Sequence, residues 1–183
     1  DTVLSRGLGD VYKRQEVITV AAGFPTTVNP SIQYGCVPVF VDIELGNYQV
    51  NLEKLQEAIG PQTKVIMLAH TLGNVFDAQA VRDLCDKHHI WFIEDSCDAV
   101  GAELNGKAVG TFSDLTTVSF YPAHHITTGE GGVVITNDEK FYKKIKKFKA
   151  FGIDKEIKDR KKQGDYDVKS IGCLLYTSDA ADE

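Results

Sequence analysis

Short runs of apolar, often β-branched residues recur along the chain, and turns or segments with helical character separate them. Six runs predict strands: Glu16–Val20, Val37–Val41, Val65–Ala69, Ile90–Ile93, Leu115–Tyr121 and Val133–Thr136. Several of these runs are apolar at consecutive positions, which is typical of strands that are covered on both faces. The alternation therefore predicts an α/β fold with a parallel or mostly parallel sheet.

Helices are predicted between most of these strands. Asn51 is a good N-cap for a helix from Leu52 to Ile59, which Gly60 and Pro61 would end. The predicted helices are Gly23–Gly35 (despite Pro30), Leu52–Ile59, Ala78–His88 and a lysine-rich surface helix Asp138–Phe151. A basic stretch from Lys140 to Lys162 indicates a solvated face rather than an anion site.

Polar residues follow two of the apolar runs. Glu94 and Asp95 come directly after Ile90–Ile93, and Ser119 opens a loop that runs to Gly132 and contains His124 and His125. Ligands bind beyond the carboxyl ends of strands in sheets of this kind. A Gly-rich polar loop between core strands usually binds something, although its glycines could serve backbone geometry alone.

The loop Ser119-Phe-Tyr-Pro-Ala-His-His-Ile-Thr-Thr-Gly-Glu-Gly-Gly132 resembles the cofactor loop of the sugar aminotransferase (DegT/DnrJ/EryC1/StrS) superfamily. Members are fold-type-I pyridoxal-phosphate (PLP) enzymes that act on nucleotide-linked keto sugars. In that pattern the residue five positions after the serine is the lysine that binds PLP covalently, and here it is His124. The same replacement marks the nucleotide-4-keto-6-deoxyhexose 3-dehydrase branch. An imidazole cannot form that bond, but it can move a proton near neutral pH.

The resemblance implies roles for individual residues. Asp95, in a Glu-Asp-x-x-x-Ala motif, would pair with the pyridine nitrogen, Ser119 would bind the phosphate, and Phe24 would stack on the ring. The implied catalytic set is His124, Tyr121 and Asp98, the last standing where the family has glutamine. Without the resemblance, Asp95 could be a helix cap and Phe24 a core residue. His70, which follows a strand, is interpreted as structural.

The resemblance covers residues 16–172 and implies a fragment of the fold-type-I large domain, a mostly parallel mixed sheet sandwiched by helices. Residues 1–15 and 173–183 resemble translated sequencing adapter, so we expect both ends to be non-native. An upstream segment and a C-terminal small domain are expected to be missing. The resemblance also implies a homodimer with the site at its interface, and a fragment that is inactive alone.

The implied reaction is dehydration at C3 of a nucleotide-linked 4-keto-6-deoxyhexose, with pyridoxamine phosphate (PMP) or PLP held without a covalent bond. Such reactions belong to deoxysugar and lipopolysaccharide O-antigen biosynthesis. An aminotransferase and a non-catalytic sugar-nucleotide-binding relative remain alternatives. Metal-dependent hydrolysis through His124 and His125 is disfavoured, because no further carboxylate or histidine ligands stand at a suitable spacing from them. One similar subgroup uses a [2Fe-2S] cluster. The stretch 148–169 has no cysteine, so we expect an iron-free route.

Charge and composition limit the classes of binding partner. The net charge is −6, which favours neither nucleic acid nor a membrane surface, and no apolar run is long enough to span a bilayer. Cys36, Cys85, Cys97 and Cys173 lack the spacing of a metal site and are interpreted as reduced structural thiols. We therefore expect a cytoplasmic enzyme whose partners are a nucleotide-sugar and a second copy of itself.

Overall fold

A computed structural model describes residues 15–149 of the chain. Several sequence predictions fall outside this range: the non-native ends other than Gln15, Cys173, the basic stretch beyond Lys149 and nearly all of the cysteine-free stretch 148–169. The remaining predictions can be compared with the structure.

A six-stranded mixed sheet forms the centre of the described region. The strands are β1 (Glu16–Val20), β2 (Val37–Val41), β3 (Thr63–Ala69), β4 (Trp91–Asp95), β7 (Leu115–Ser119) and β8 (Gly132–Ile135), with β5 (Glu103–Leu104) and β6 (Lys107–Ala108) in a separate hairpin. The order in the sheet is β2-β1-β3-β4-β7-β8, and every neighbouring pair is parallel except β7 and β8. The predicted α/β class and mostly parallel sheet are confirmed.

Two strand boundaries near the Gly-rich loop differ from the prediction. β7 ends at Ser119, so Tyr121 lies in the loop rather than in the strand. β8 begins at Gly132, because its backbone pairs with Ser119 across the antiparallel ladder. All four residues of β8 are exposed in the described part of the chain, so its apolar character does not reflect a buried strand there.

The helices follow the sequence signals closely. They are α1 (Pro25–Gln33), α2 (Leu52–Ala58), α3 (Ala78–His88) and α4 (Glu139–Lys149). The Asn51 side chain accepts a hydrogen bond from the Lys54 backbone N–H, as an N-cap should, and Asp77 caps α3 through the Ala80 N–H. Helix α1 begins with Pro25 at its first turn, where the missing N–H has no helical partner to lose.

The core lies where α2 and α3 meet the sheet. Fully buried residues come from β1, β3, β4 and both helices: Ile18, Leu55, Ile66, Val81, Cys85 and Phe92. Apolar burial of this kind stabilises the strands whose carboxyl ends carry the polar residues described below. Between residues 15 and 149, no helix is long and apolar enough to cross a membrane.

A small hairpin between β4 and β7 was not predicted. Strands β5 and β6 are joined by Asn105 and Gly106, both with positive φ, which is the Asn-Gly signature of a tight hairpin turn. The chain returns to the sheet at Gly110, whose φ is +87° and where a Cβ would lie 2.9 Å from Thr116 Cγ2. The Gly110 amide donates to Glu94 Oε1 at 3.1 Å, which ties the hairpin to the end of β4.

Candidate active site

Asp95 and Ser119 lie at the same edge of the sheet because β4 and β7 are parallel neighbours. Asp95 is opposite Thr117 in the ladder, and Ser119 closes β7 two residues later. The Ser96 amide also donates to the Thr117 carbonyl at 2.9 Å, which holds the two strand ends together. The sequence prediction that these two residues share the carboxyl edge is therefore confirmed.

The Asp95 carboxylate is held by donors on both of its oxygens. Thr27 Oγ1 donates to Oδ2 at 2.9 Å, and the Cys97 backbone N–H donates to Oδ1 at 3.2 Å. Thr27 lies in the first turn of α1, and its own N–H donates to the carbonyl of Phe24 at 3.1 Å. The loop that carries Phe24 is thereby connected to Asp95.

Phe24 is not a core residue. The residue is 72% exposed and lies in the exposed turn that precedes the buried Thr27. The alternative in which Phe24 simply packs in the core is therefore wrong. An exposed aromatic ring next to a fixed carboxylate is available to stack on a planar ligand.

His124 and Asp98 form a pair across the edge of the sheet. His124 Nδ1 is 3.2 Å from Asp98 Oδ1, and the two side chains are 19% and 46% exposed. His125, by contrast, is exposed. The Tyr121 ring lies 6.4 Å from the His124 ring, centroid to centroid, at an angle of 69°. The three residues implied to be catalytic therefore lie together.

The loop around His124 is shaped by backbone hydrogen bonds and glycines. The Ser119 hydroxyl accepts from the Tyr121 N–H at 3.2 Å, and the His124 N–H donates to the Tyr121 carbonyl at 3.0 Å. Gly131 has φ +151°, and a Cβ there would lie 2.6 Å from Thr128 Oγ1. At this position glycine is required for the loop to close back onto β8.

His70 and Glu94 form a buried polar pair beneath the site. His70 Nε2 is 3.0 Å from Glu94 Oε1, both side chains are fully buried, and the His70 ring stacks on Phe76 at 4.2 Å. Burial alone would raise the pKa of Glu94, but hydrogen bonds from His70, the Gly110 amide and Ser113 bring that pKa below its ordinary value. The pair joins β3 to β4 and agrees with a structural role for His70.

The three cysteines within residues 15–149 are free thiols. Burial, followed by the neighbouring Asp95 carboxylate, raises the pKa of Cys97 to about 12. Cys85, in the core, has its pKa raised to about 12 chiefly by burial. In the same range, no three His, Cys, Asp or Glu side chains are grouped so as to hold a metal ion.

Comparison with known proteins identifies the family. The model of the DegT/DnrJ/EryC1/StrS aminotransferase family matches residues 3–173. The chain belongs to this family. Lipopolysaccharide biosynthesis protein RfbH of Salmonella typhimurium is 54% identical over 139 residues, which cover 76% of this chain and 32% of that protein.

Two further relatives represent different activities within the family. The dTDP-4-dehydro-2,6-dideoxy-D-glucose 3-dehydratase of Saccharopolyspora spinosa is 49% identical over 84% of this chain and 34% of that protein. The solved structure of the aminotransferase PseC from Helicobacter pylori superposes with a TM-score of 0.81 at 33% identity, covering 89% of this chain and 44% of that one. The chain spans about a third of the length of the curated relatives. The fold of the PLP-dependent aminotransferases is thereby established, and the family includes both dehydratases and aminotransferases.

The residues at the carboxyl edge fit a pyridoxal-type cofactor. Asp95 could offer a carboxylate of fixed orientation to a cationic ring nitrogen, Phe24 an exposed aromatic face to the ring, and Ser119 a hydroxyl to the phosphate. No lysine occurs from Leu115 to Gly132, so the described loop offers no amine for a covalent bond to the cofactor.

Sequence reasoning missed two contributors to this site. Thr27 reaches Asp95 across 68 residues of sequence, and Glu94 accepts from both His70 and the Gly110 amide. The repeated hydroxyls in Phe24-Pro-Thr-Thr27 and the acidic pair Glu94-Asp95 were the available signals. Neither signal says which partner each side chain contacts, because the partners come from distant segments of the chain.

Proposed function

We propose that this chain is the cofactor-binding part of an enzyme that removes the C3 hydroxyl from a nucleotide-linked 4-keto-6-deoxyhexose, using PMP or PLP held without a covalent bond. The observation that carries the proposal is His124. It occupies the position of the family's lysine, and its Nδ1 faces Asp98 at 3.2 Å. The similarity to a 3-dehydratase over 84% of this chain supports the same reaction.

The bound cofactor would supply a protonated pyridine ring that accepts negative charge from the reacting carbon. Asp95 would keep the ring nitrogen protonated, and the donors from Thr27 and Cys97 hold the Asp95 carboxylate in place. Phe24 would lie against the ring, and the Ser119 hydroxyl would donate to the phosphate. These residues would bind and orient the cofactor.

His124 is the base in this proposal. The Asp98 carboxylate accepts the hydrogen on Nδ1, which leaves Nε2 with a lone pair that can accept a proton from carbon. The Tyr121 hydroxyl, on the ring beside His124, is a hydrogen-bond donor for the sugar at the reacting centre. Nε2 would take up the proton from the reacting carbon and could return it to the C3 hydroxyl, which would then leave as water.

The same similarity leaves one competing function with direct support. The aminotransferase PseC superposes on this chain with a TM-score of 0.81, so the scaffold also suits amino transfer. An aminotransferase of this family would need an amine where His124 stands. A sugar-nucleotide-binding relative without turnover is the remaining alternative.

A product assay on the complete gene product separates these functions. The protein would be incubated with PMP and, in turn, CDP-, GDP- and dTDP-4-keto-6-deoxyhexose, and the sugar would be analysed by mass spectrometry. We expect a product that has lost the C3 hydroxyl, and no product from His124→Asn. An amino sugar formed in the presence of glutamate would support the aminotransferase, and binding without any product would support the non-catalytic relative.

In the proposed assembly the enzyme is a homodimer that acts in the cytoplasm on a nucleotide-sugar of a deoxysugar or lipopolysaccharide pathway. The name of the Salmonella relative supports the lipopolysaccharide assignment. A second subunit would complete the site in this assembly.

A further inference from the structure

The hydroxyl of Thr27 points away from its own helix. Thr27 is 5% exposed and lies at the third position of α1, where a hydroxyl could cap a backbone group nearby. Its hydroxyl instead donates to Asp95 Oδ2 at 2.9 Å, across 68 residues of sequence. A buried hydroxyl that donates to a distant carboxylate orients that carboxylate instead of capping its own helix.

The second contact to Asp95 cannot replace the first. The Cys97 N–H donates to the other oxygen, Oδ1, at 3.2 Å and comes from two residues along the same strand end. A single donor on Oδ1 would leave the carboxylate free to rotate about it. Donors on both oxygens fix the plane of the carboxylate, and the donor on Oδ2 comes from α1.

The position of Thr27 also connects two cofactor contacts. Its backbone N–H donates to the Phe24 carbonyl at 3.1 Å while its side chain donates to Asp95. Phe24 and Asp95 are the residues that would meet the face and the nitrogen of one ring. A shift of Thr27 would therefore change the angle between these two contacts.

We propose that Thr27 is a positioning residue that aims the Asp95 carboxylate at a cationic ring nitrogen, and so sets how strongly the site prefers a protonated pyridine over an uncharged ring. This inference rests on the proposed function, because it assumes that a pyridoxal-type cofactor lies between Phe24 and Asp95. It concerns only the contact to the ring nitrogen.

Two probes isolate that contact by binding alone, without turnover. PMP carries the ring nitrogen, and 1-deazapyridoxamine 5′-phosphate has carbon in its place but keeps the phosphate and the amine. The dissociation constant of the deaza compound divided by that of PMP, measured on the complete gene product, reports the strength of the Asp95 contact. A larger ratio means a stronger contact. We expect Thr27→Val to reduce this ratio by roughly tenfold, the effect of losing one hydrogen bond to a charged group, while affinity for the deaza compound stays within about twofold.

Matched variants separate positioning from general disturbance. Thr27→Ser keeps the hydroxyl and should restore the ratio, and Thr27→Ala removes it without a new methyl group and should resemble the valine variant. Thr63 offers a control, because this buried threonine donates to the Glu16 carboxylate at 3.1 Å at the opposite end of the parallel strands. Thr63→Val should leave the ratio unchanged.

The outcomes distinguish this inference from the proposed function. If Thr27→Val and Thr27→Ala keep the wild-type ratio, whether or not they weaken binding of both probes, Thr27 does not position Asp95. PMP binding by the wild type would still support the proposed function. If the wild-type protein binds neither probe, the proposed cofactor site is wrong and the inference is wrong with it.

Discussion

Replacing Asp98 tests whether His124 depends on its carboxylate partner. The two side chains are 3.2 Å apart and 19% and 46% exposed, so the pair is neither fully solvated nor buried. An exposed ion pair contributes about 0.2–1 kcal/mol, and a hydrogen bond to a charged group about 1.5–3 kcal/mol. An intermediate value of about 1–2 kcal/mol corresponds to a loss of roughly 5- to 30-fold in rate.

Two substitutions of Asp98 should fall at different points within this range of rate loss. Asp98→Ala removes both charge and acceptor, so we expect a loss near the upper end, whereas Asp98→Asn keeps an oxygen that can accept from Nδ1 and should lose less. The assay is steady-state turnover of the nucleotide-linked keto sugar by the complete gene product. The loss should fall on kcat with little change in KM, because the pair orients the base rather than binding the sugar.

The controls decide whether Asp98 acts through His124. Asp42→Asn changes an exposed carboxylate outside the site and should leave kcat unchanged. Asp98→Ala should cause no further loss in a protein that already carries His124→Asn, since both changes remove the same function. Full activity in Asp98→Ala, or a loss seen only in KM, would refute the proposed orientation of His124.

Three further predictions concern the cofactor, iron and the buried pair. Borohydride should not fix PLP to the wild-type protein but should fix it to His124→Lys, and a covalent adduct on the wild type would contradict the dehydrase proposal. The stretch 148–169 has no cysteine to hold an iron-sulfur cluster, so it should bind no stoichiometric iron or sulfide. Iron and sulfide analysis of the purified complete protein would check this. Glu94→Gln should be less stable to urea than the wild type by about 1–3 kcal/mol near neutral pH. Because the folded pKa of Glu94 lies below its ordinary value of 4.5, its charge stabilises the fold above about pH 4.5. That contribution is lost as the pH falls through the folded pKa, so the deficit should shrink in acid, and a deficit independent of pH would contradict the pairing with His70.

The sheet could be predicted because its strands are short apolar runs with clear ends. The same holds for α2 and α3, whose caps, Asn51 and Asp77, are visible in the sequence before each helix. The β5–β6 hairpin was missed although Asn105-Gly106 signals it, because two-residue strands have no measurable period. The end of β7 was placed too late, since the apolar run through Tyr121 continues past the last ladder pair.

The site was predictable only as far as residue types and their spacing in the chain. His124 could be chosen over His125 from its distance to Ser119 in sequence, and the structure adds that His124 alone of the two faces Asp98. The contacts of Thr27 with Asp95 and of His70 with Glu94 could not be read in advance. They join residues 68 and 24 positions apart, and only the strand order brings them together.

Loss of deuterium from PMP tests the central claim that His124 moves the proton at the reacting carbon. The complete gene product would be incubated with the nucleotide-linked keto sugar and PMP deuterated at its methylene carbon, and deuterium release to water would be followed over time. We expect His124→Asn to slow release by roughly 10²- to 10⁴-fold, while His125→Asn, the exposed neighbour, releases deuterium close to the wild-type rate. PMP affinity should survive both changes. Release at the wild-type rate from His124→Asn, with loss in His125→Asn, would contradict the assignment.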